Sequence, residues 1–173
     1  MINVAYPFTS TFLDYPDPEA HSISVYMMGC VHSCEGCSSP QFSDPYYNFE
    51  TKVFSTTKLL QQIQSAARTF KTTQVCLMGG DPLHPANLEY TKTLLRVKTF
   101  EVCLYTGYNI EEVRKMCLPH LEYVKCGKYD PEQKQVSEKT DEYIQFASKN
   151  QELHKRSQYG KYELVSKDGR YYF

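Results

Sequence analysis

Apolar residues recur at helical spacing in two segments of the chain. Residues 57–70 carry one apolar stripe on an otherwise polar segment, and residues 86–98 repeat this pattern. A third helix is predicted from Asn109 to about Cys117, because asparagine followed three positions later by an acidic residue, here Glu112, is typical of a capped helix start. Each predicted helix has one face to bury.

Four short runs before and between these helices have the composition of buried strands. They cover residues 22–28, 74–78, 101–105 and 121–125. Strands that alternate with helices form parallel sheets, in which ligands collect at the carboxyl ends of the strands. We therefore expect one sheet edge to carry the loops that contain Cys30, Gly79, Thr106 and Gly127.

The flanking segments show no sustained period. Residues 1–21 are predicted to form an extended lead-in, and residues 38–54 a long loop over the core. After Asp130 the sequence is polar. It predicts a short helix near residues 140–148 and a terminal hairpin that turns at Lys167-Asp168-Gly169.

Length and composition favour one ordinary globular domain. The chain has 173 residues, of which 41% are hydrophobic and 23% charged, and no apolar run is long enough for a membrane span. We expect a single domain over residues 1–173, with a core at about 22–130 and a C-terminal extension at 131–173. The N-terminus does not resemble a secretory signal, which predicts a soluble cytoplasmic protein.

Charge argues against nucleic acid as a partner. The formal net charge is −1, and lysine and arginine are scattered along the chain instead of forming a stripe. The chain is rich in tyrosine, but a base-stacking surface also needs a basic groove. Neither a membrane nor a nucleic acid is therefore an expected partner.

Seven cysteines form two groups. An odd number without a secretory signal argues for a reducing compartment and against a disulfide framework. Cys76 and Cys103 lie in apolar runs, where free cysteine behaves as a small buried residue, and Cys117 and Cys126 receive the same interpretation. The other three lie together in GCVHSCEGC, the loop after the first predicted strand of the βαβ series, and are Cys30, Cys34 and Cys37.

Three kinds of chemistry fit that loop. Structural zinc needs a fourth ligand, and although His32 lies within the loop, no second pair of ligands has suitable spacing. A redox pair fits Cys34-Glu35-Gly36-Cys37 but leaves Cys30 unexplained. A 4Fe-4S cluster held by three thiolates leaves one iron without a protein ligand, and this iron can bind a substrate or cofactor.

The C-x3-C-x2-C spacing after a strand resembles the motif of the radical S-adenosylmethionine enzymes. This resemblance implies that S-adenosylmethionine binds the open iron through its amino and carboxylate groups. Reduction of the sulfonium by the cluster then yields methionine and a 5'-deoxyadenosyl radical. Gly79-Gly80-Asp81-Pro82 follows the next strand and matches the superfamily's element for the cofactor amino group.

A narrower resemblance covers residues 26–130. The stretches GCVHSCEGCSSPQ, MGGDPLHPAN, LYTGYNIEEV and VKCGKYDPE are similar to those of activating proteins of the anaerobic ribonucleoside-triphosphate reductase. Asn150-Gln151 resembles a Ser-Asn-Gln element near that family's C-terminus. The family implies an α/β fold, a partial (β/α) barrel of the radical S-adenosylmethionine type with a mostly parallel sheet.

The same resemblance implies roles by position. The cluster ligands are Cys30, Cys34 and Cys37, and the residues expected to contact S-adenosylmethionine are Gly36, Cys37, Ser38, Gly79, Gly80, Asp81 and Thr106. No side chain is assigned as a catalytic acid or base, and His84 is expected to pack or hydrogen bond within its loop. The implied partners are the large reductase subunit, on which a glycyl radical forms, and a low-potential electron donor.

Two kinds of alternative stay open from the sequence. Another small radical S-adenosylmethionine enzyme, such as a pyruvate formate-lyase activase or a 7-carboxy-7-deazaguanine synthase, shares the cysteine motif. A non-enzymatic iron–sulfur module for electron transfer is the other, although such a protein ordinarily supplies four ligands.

Overall fold

The computed structural model describes residues 1–16, 21–47, 49–135 and 146–167 and the backbone of 170–171. Three helices lie within these ranges, α1 (Thr56–Phe70), α2 (Leu88–Leu95) and α3 (Ile110–Lys115). The strands in chain order are β1 (Ile2–Ala5), β2 (Thr9–Thr11), β3 (Ser22–Met27), β4 (Thr51–Phe54), β5 (Gln74–Gly79), β6 (Glu101–Thr106), β7 (Tyr123–Cys126), β8 (Glu152–Arg156), β9 (Tyr162–Lys167) and β10 (Arg170–Tyr171). Short 3-10 turns lie at Pro40–Ser43 and Pro131–Gln133.

The described strands form one mixed sheet. Its order is β10-β9-β8-β7-β6-β5-β3-β1-β4, and β2 pairs with the first half of β3. The pairs β3/β5, β5/β6 and β6/β7 are parallel, which confirms the predicted βαβ series and brings the carboxyl ends of four strands to one edge.

The expectation of a mostly parallel sheet is wrong for the described strands. Three pairs are parallel and six are antiparallel. A parallel neighbour requires a long crossover, whereas antiparallel strands can be joined by a short link. Strands β8 and β9 illustrate this, because residues 157–161 alone connect them.

The sheet has two unlike faces. One face packs against the helices in the main apolar core, where Val25, Leu77 and Leu104 of the sheet meet Leu59 and Val113 of the helices. The opposite face carries a smaller cluster, formed by Tyr15, Tyr26, Cys76, Met78, Cys103, Tyr105 and Tyr123. We call this second surface the tyrosine face of the sheet.

Capping interactions mark the start of α3 and both ends of α1. Asn109 and Glu112 form a reciprocal capping box at the start of α3, as the sequence predicts. Ser55 accepts a hydrogen bond from the amide of Lys58 at the start of α1, and Lys71 ends this helix in the left-handed conformation. Helix α2 is shorter at both ends than the predicted 86–98.

Several strands were not predicted. The lead-in contains β1 and β2, and the predicted loop at 38–54 contains β4. Strand β8 was also missed, because its sequence ELHKR is mostly polar. Strands β9 and β10 are antiparallel neighbours, as the predicted hairpin requires, but its turn residues Asp168 and Gly169 lie outside the described residues. Most of the predicted helix at 140–148 also lies outside them.

No helix within the described ranges is both long and apolar enough to cross a membrane.

Candidate functional site

The cysteine loop begins directly after β3 and is attached to the rest of the chain by its backbone. The amide of Gly29 donates to the carbonyl of Phe42 at 2.8 Å, and the amide of Cys30 donates to the carbonyl of Ser43 at 3.0 Å. These bonds join the start of the loop to the 3-10 turn at Pro40–Ser43. The 3-10 turn, which lies within the segment 38–54 predicted to be a loop, therefore holds the start of the cysteine loop in place.

The three predicted ligand thiols lie on this loop with unequal exposure. Cys30 and Cys34 are half-buried and Cys37 is exposed. The sulfur of Cys30 accepts a hydrogen bond from the amide of His32 at 3.5 Å, and that of Cys37 accepts one from the amide of Ser39 at 3.4 Å. Hydrogen bonds to sulfur are one of the ways in which proteins tune iron–sulfur clusters.

The surroundings of Cys30 favour the neutral form of its thiol. Burial raises the pKa of the Cys30 thiol, and the negative charges of Asp81, Cys34 and Cys37 raise it further, while the amide of His32 opposes them. Positive charge beside Cys30 would favour its thiolate form. A bound metal group supplies such charge.

The predicted glycine pair after β5 is required by contacts within the protein. A Cβ atom on Gly79 would lie 2.6 Å from the nitrogen of Met27, and one on Gly80 would lie 2.3 Å from the carbonyl oxygen of Phe42. The amide of Gly80 donates to the carbonyl of Met27 at 2.8 Å. Gly79 therefore allows close contact with the end of β3, and Gly80 allows the start of the cysteine loop and the 3-10 turn to approach through their backbones.

Asp81 connects three loops at the carboxyl edge of the sheet. It is fully buried, and its carboxylate accepts hydrogen bonds from the hydroxyl of Thr106 at 2.8 and 3.0 Å, from the amide of Gly107 at 3.0 Å and from the amide of Leu83 at 2.7 Å. His32 Nε2 lies 2.7 Å from the same carboxylate. The oxygens predicted to face a cofactor ammonium are thus occupied by donors from the protein.

His32 reaches this carboxylate from the middle of the cysteine loop. Its ring stands edge-to-face against Tyr108 with 4.6 Å between ring centroids, and a Cβ atom on Gly107 would lie 2.3 Å from the ring. The sequence suggested His32 only as a possible zinc ligand. The sequence places His32 between two predicted ligands and places the acidic residue Asp81 on the adjacent loop. This pattern was the available signal for a hydrogen bond between His32 and Asp81.

Two other residues predicted to contact S-adenosylmethionine, Gly36 and Ser38, flank Cys37 on the cysteine loop. Gly36 and Ser38 are exposed, and Gly36 has a left-handed backbone with φ of 69°. His84 accepts a hydrogen bond from the amide of Ala86 at 3.2 Å and lies against Gly29, so it hydrogen bonds within its own loop as predicted.

The element Asn150-Gln151 supports the loop after β7. The side-chain amide of Asn150 donates to the carbonyl of Lys128 at 2.8 Å, and that of Gln151 donates to the carbonyl of Gly127 at 3.1 Å. Both side chains therefore stabilise the fourth loop of the functional edge.

A second group of potential ligands lies between β7 and β8. Atoms of Cys126, Glu152 and His154 are all within 4.8 Å of one another. The Glu152 carboxylate already accepts a hydrogen bond from the Lys167 ammonium at 2.6 Å and lies 2.9 Å from His154 Nε2. Burial raises the pKa of the Cys126 thiol to about 12. The group is therefore a partly exposed Lys167–Glu152 ion pair beside His154 and a protonated thiol.

The other predicted structural cysteines divide by position. Cys76, Cys103 and Cys126 are buried as expected. Cys117 is exposed, so its interpretation as a buried residue is wrong. It follows the end of α3 with a left-handed φ of 52°, outside the apolar core.

Comparison with known proteins places these features in a family. Residues 19–154 match the family described as "4Fe-4S single cluster domain". An anaerobic ribonucleoside-triphosphate reductase-activating protein of Haemophilus influenzae is 31% identical over 133 residues, which cover 69% of this chain and 81% of the relative. Proteins of the same name from Vibrio cholerae and Enterobacteria phage T4 are 28% and 25% identical, covering 76% and 68% of this chain and 86% and 76% of the relatives. This chain therefore belongs to the anaerobic ribonucleoside-triphosphate reductase-activating proteins, with a 4Fe-4S single cluster domain.

Proposed function

We propose that this protein is a radical S-adenosylmethionine enzyme that generates a glycyl radical on the large subunit of an anaerobic ribonucleoside-triphosphate reductase. The observation that carries the proposal is the attachment of a three-thiol loop to the loops after β5 and β6 at one sheet edge. The names of the relatives support the choice of partner.

In this proposal the loop holds a 4Fe-4S cluster and leaves one iron for a cofactor. Cys30, Cys34 and Cys37 are the three thiol ligands, and two of their sulfurs have backbone N–H donors in place. The chemistry supplied by the bound group is one-electron reduction of the sulfonium, which releases methionine, followed by hydrogen abstraction from a glycine to give 5'-deoxyadenosine and the glycyl radical. The electron comes from a low-potential donor protein.

The surrounding residues shape the place for S-adenosylmethionine. Gly36 and Ser38 are exposed beside Cys37, and Gly79 and Gly80 are partly exposed at the end of β5, where the cofactor would approach them. Thr106 at the end of β6 holds the Asp81 carboxylate in place, since its hydroxyl donates to both carboxylate oxygens. The protein's contribution is to hold and orient the cofactor, which carries the difficult chemistry.

The architecture around this site is that of a partial (β/α) barrel in our proposal. The parallel strands β3, β5, β6 and β7, with helices on one face, supply the support. The tyrosine face of the sheet then corresponds to the interior of the barrel. A partner loop that carries the target glycine approaches the site from the carboxyl edge.

The test is anaerobic reconstitution with iron and sulfide, followed by reduction in the presence of S-adenosylmethionine. Methionine and 5'-deoxyadenosine are the expected products, and addition of the candidate reductase gives a glycyl-radical doublet in the electron paramagnetic resonance spectrum. Absence of both products contradicts the radical chemistry. Cleavage without the doublet leaves that chemistry standing and contradicts the assigned partner.

A further inference from the structure

The cysteine loop has one side chain that points into the protein between its ligands. The side chain of His32 is 5% exposed, whereas Val31, Ser33 and Glu35 around it are exposed. Because His32 lies two residues from Cys30 and two from Cys34, its contacts attach the segment that carries both thiols to the rest of the protein. The conformation of this residue is therefore coupled to the position of the cluster ligands.

The acceptor of His32 cannot easily rotate. Besides His32, the Asp81 carboxylate is held by the Thr106 hydroxyl and the amides of Leu83 and Gly107. These donors belong to the loop after β5 and to the end of β6, both built on the parallel sheet. Asp81 is thus a fixed point of the scaffold, and His32 is where the cysteine loop attaches to it by a side chain.

The shape of the loop also depends on this attachment. Ser33 adopts a left-handed backbone with φ of 48°, a conformation that a residue with a Cβ atom adopts at a cost. The bend turns the chain from the buried His32 back to Cys34. At Gly107 the lack of a side chain leaves room for the ring of His32.

We propose that the hydrogen bond between His32 and Asp81 sets the orientation of the cysteine loop, so that both are positioning residues for S-adenosylmethionine at the iron without a protein ligand. This inference rests on the proposed function. It assigns Asp81 a role different from direct contact with the cofactor ammonium. Neither residue takes part in proton transfer, since the bond acts through geometry.

The test uses two substitutions of His32, one that removes the ring and one that removes the hydrogen bond to Asp81. His32→Gln keeps an N–H donor near the position of Nε2 and loses the ring, while His32→Phe keeps the ring and loses the donor. The full-length proteins are reconstituted anaerobically, and iron content is measured. The affinity for S-adenosylmethionine is then determined from the change it causes in the electron paramagnetic resonance spectrum of the reduced cluster.

The Phe variant is expected to bind S-adenosylmethionine roughly 10- to 100-fold more weakly, as is typical when an outer partner of a metal site is lost, whereas the Gln variant keeps most of the affinity. Loss of the cluster from the Phe variant alone supports the same role. Wild-type affinity in the Phe variant, or an equal loss of affinity or cluster in both variants, overturns it.

Thr106→Val provides a second test outside the cysteine loop. Valine has nearly the shape of threonine, but it removes the hydroxyl that holds both Asp81 oxygens. A weaker spectral response to S-adenosylmethionine with full iron content is expected, and an unchanged response contradicts the inference. If S-adenosylmethionine does not change the spectrum of the wild-type cluster, the proposed function fails. If it changes the spectra of the wild type and of the variants equally, only the positioning role is rejected.

Discussion

The cysteines of the loop and the cysteines of the sheet differ in the direction of their hydrogen bonds. Cys76 on the tyrosine face donates through its thiol to the carbonyl of Asp14 at 3.1 Å. In the loop, the sulfurs of Cys30 and Cys37 instead accept hydrogen bonds from backbone amides. A donor sulfur must carry its proton, whereas an acceptor sulfur is suited to the thiolate form that binds metal.

Burial strengthens this contrast. Cys76 and Cys103 are fully buried, and burial is the main reason why the pKa of Cys103 is raised well above its usual value. The loop thiols are half-buried or exposed. Burial therefore keeps Cys103 protonated on the sheet, whereas the loop thiols are accessible, and this accessibility makes the loop the suitable place for building a cluster.

The largest effect is expected from loss of one loop thiol. Cys34→Ala leaves two of the three proposed ligands, and iron bound after reconstitution should fall to near zero. The matched control is Cys117→Ala, which removes an exposed thiol outside the loop and should leave iron content unchanged. Iron content in Cys34→Ala equal to that of the wild type contradicts the ligand assignment.

A second effect is expected where the cysteine loop touches the loop after β5. In Gly80→Ala the new methyl group would lie 2.3 Å from the carbonyl oxygen of Phe42 and 2.5 Å from that of Gly29. Overpacking of this kind costs about 1–3 kcal/mol of unfolding free energy, and we expect iron loading to fall with it. Denaturant unfolding of the apoprotein measures the first quantity.

Gly36→Ala is the comparison for this change. Its methyl group would meet only the ring of Tyr129 at 3.5 Å, so its cost arises from the left-handed backbone and is about 1 kcal/mol. A larger loss of stability in Gly36→Ala than in Gly80→Ala would show that backbone contact at Gly80 does not hold the two loops together.

The sequence predicted the parallel centre of the fold because its signals there are local. The apolar stripe of α1 and the capping box of α3 each lie within one helix, and the runs at β5 and β6 are almost wholly apolar. Strands β1, β2 and β8 are instead specified by pairing with distant partners, such as Val4 with Met27. Such pairing leaves little trace in a short or polar segment.

The candidate site was also predictable only in part. Residue types and spacing were enough to predict the loops at one edge, and β3, β5, β6 and β7 do end there. The direction of each side chain was not predictable. Asp81 follows two glycines in the sequence, but its four donors come from positions 32, 83, 106 and 107, which only the folded chain brings together.

A smaller effect is expected from a sheet cysteine. Cys76→Ala removes a fully buried sulfur and its hydrogen bonds to Asp14 and Ser22. The expected loss is about 1 kcal/mol of unfolding free energy with unchanged iron content, since the site lies elsewhere. The measurement pairs denaturant unfolding with iron analysis. Loss of iron at normal stability would mean that the two groups of cysteines are not functionally separate.

The pKa of Lys125 indicates how far water is excluded from the surroundings of the sheet cysteines. Its ammonium lies 4.6 Å from the ring centroid of Tyr105, and burial lowers its pKa to about 8, while Cys103 and Asp14 act in the opposite direction. The unfolded chain binds this proton up to a pH of about 10.4, so between pH 8 and 10 the unfolded state holds more protons than the folded one. Stability should therefore rise with pH in this window.

Lys125→Met isolates this contribution from other groups that titrate at high pH. The unfolding free energy of the wild type minus that of the variant should increase by at most about 1.4 kcal/mol per pH unit between pH 8 and 10. It should stay constant below pH 7. A difference that does not change with pH would mean that Lys125 is as well solvated in the fold as in the unfolded chain. The tyrosine face around Lys125 would then be accessible to water.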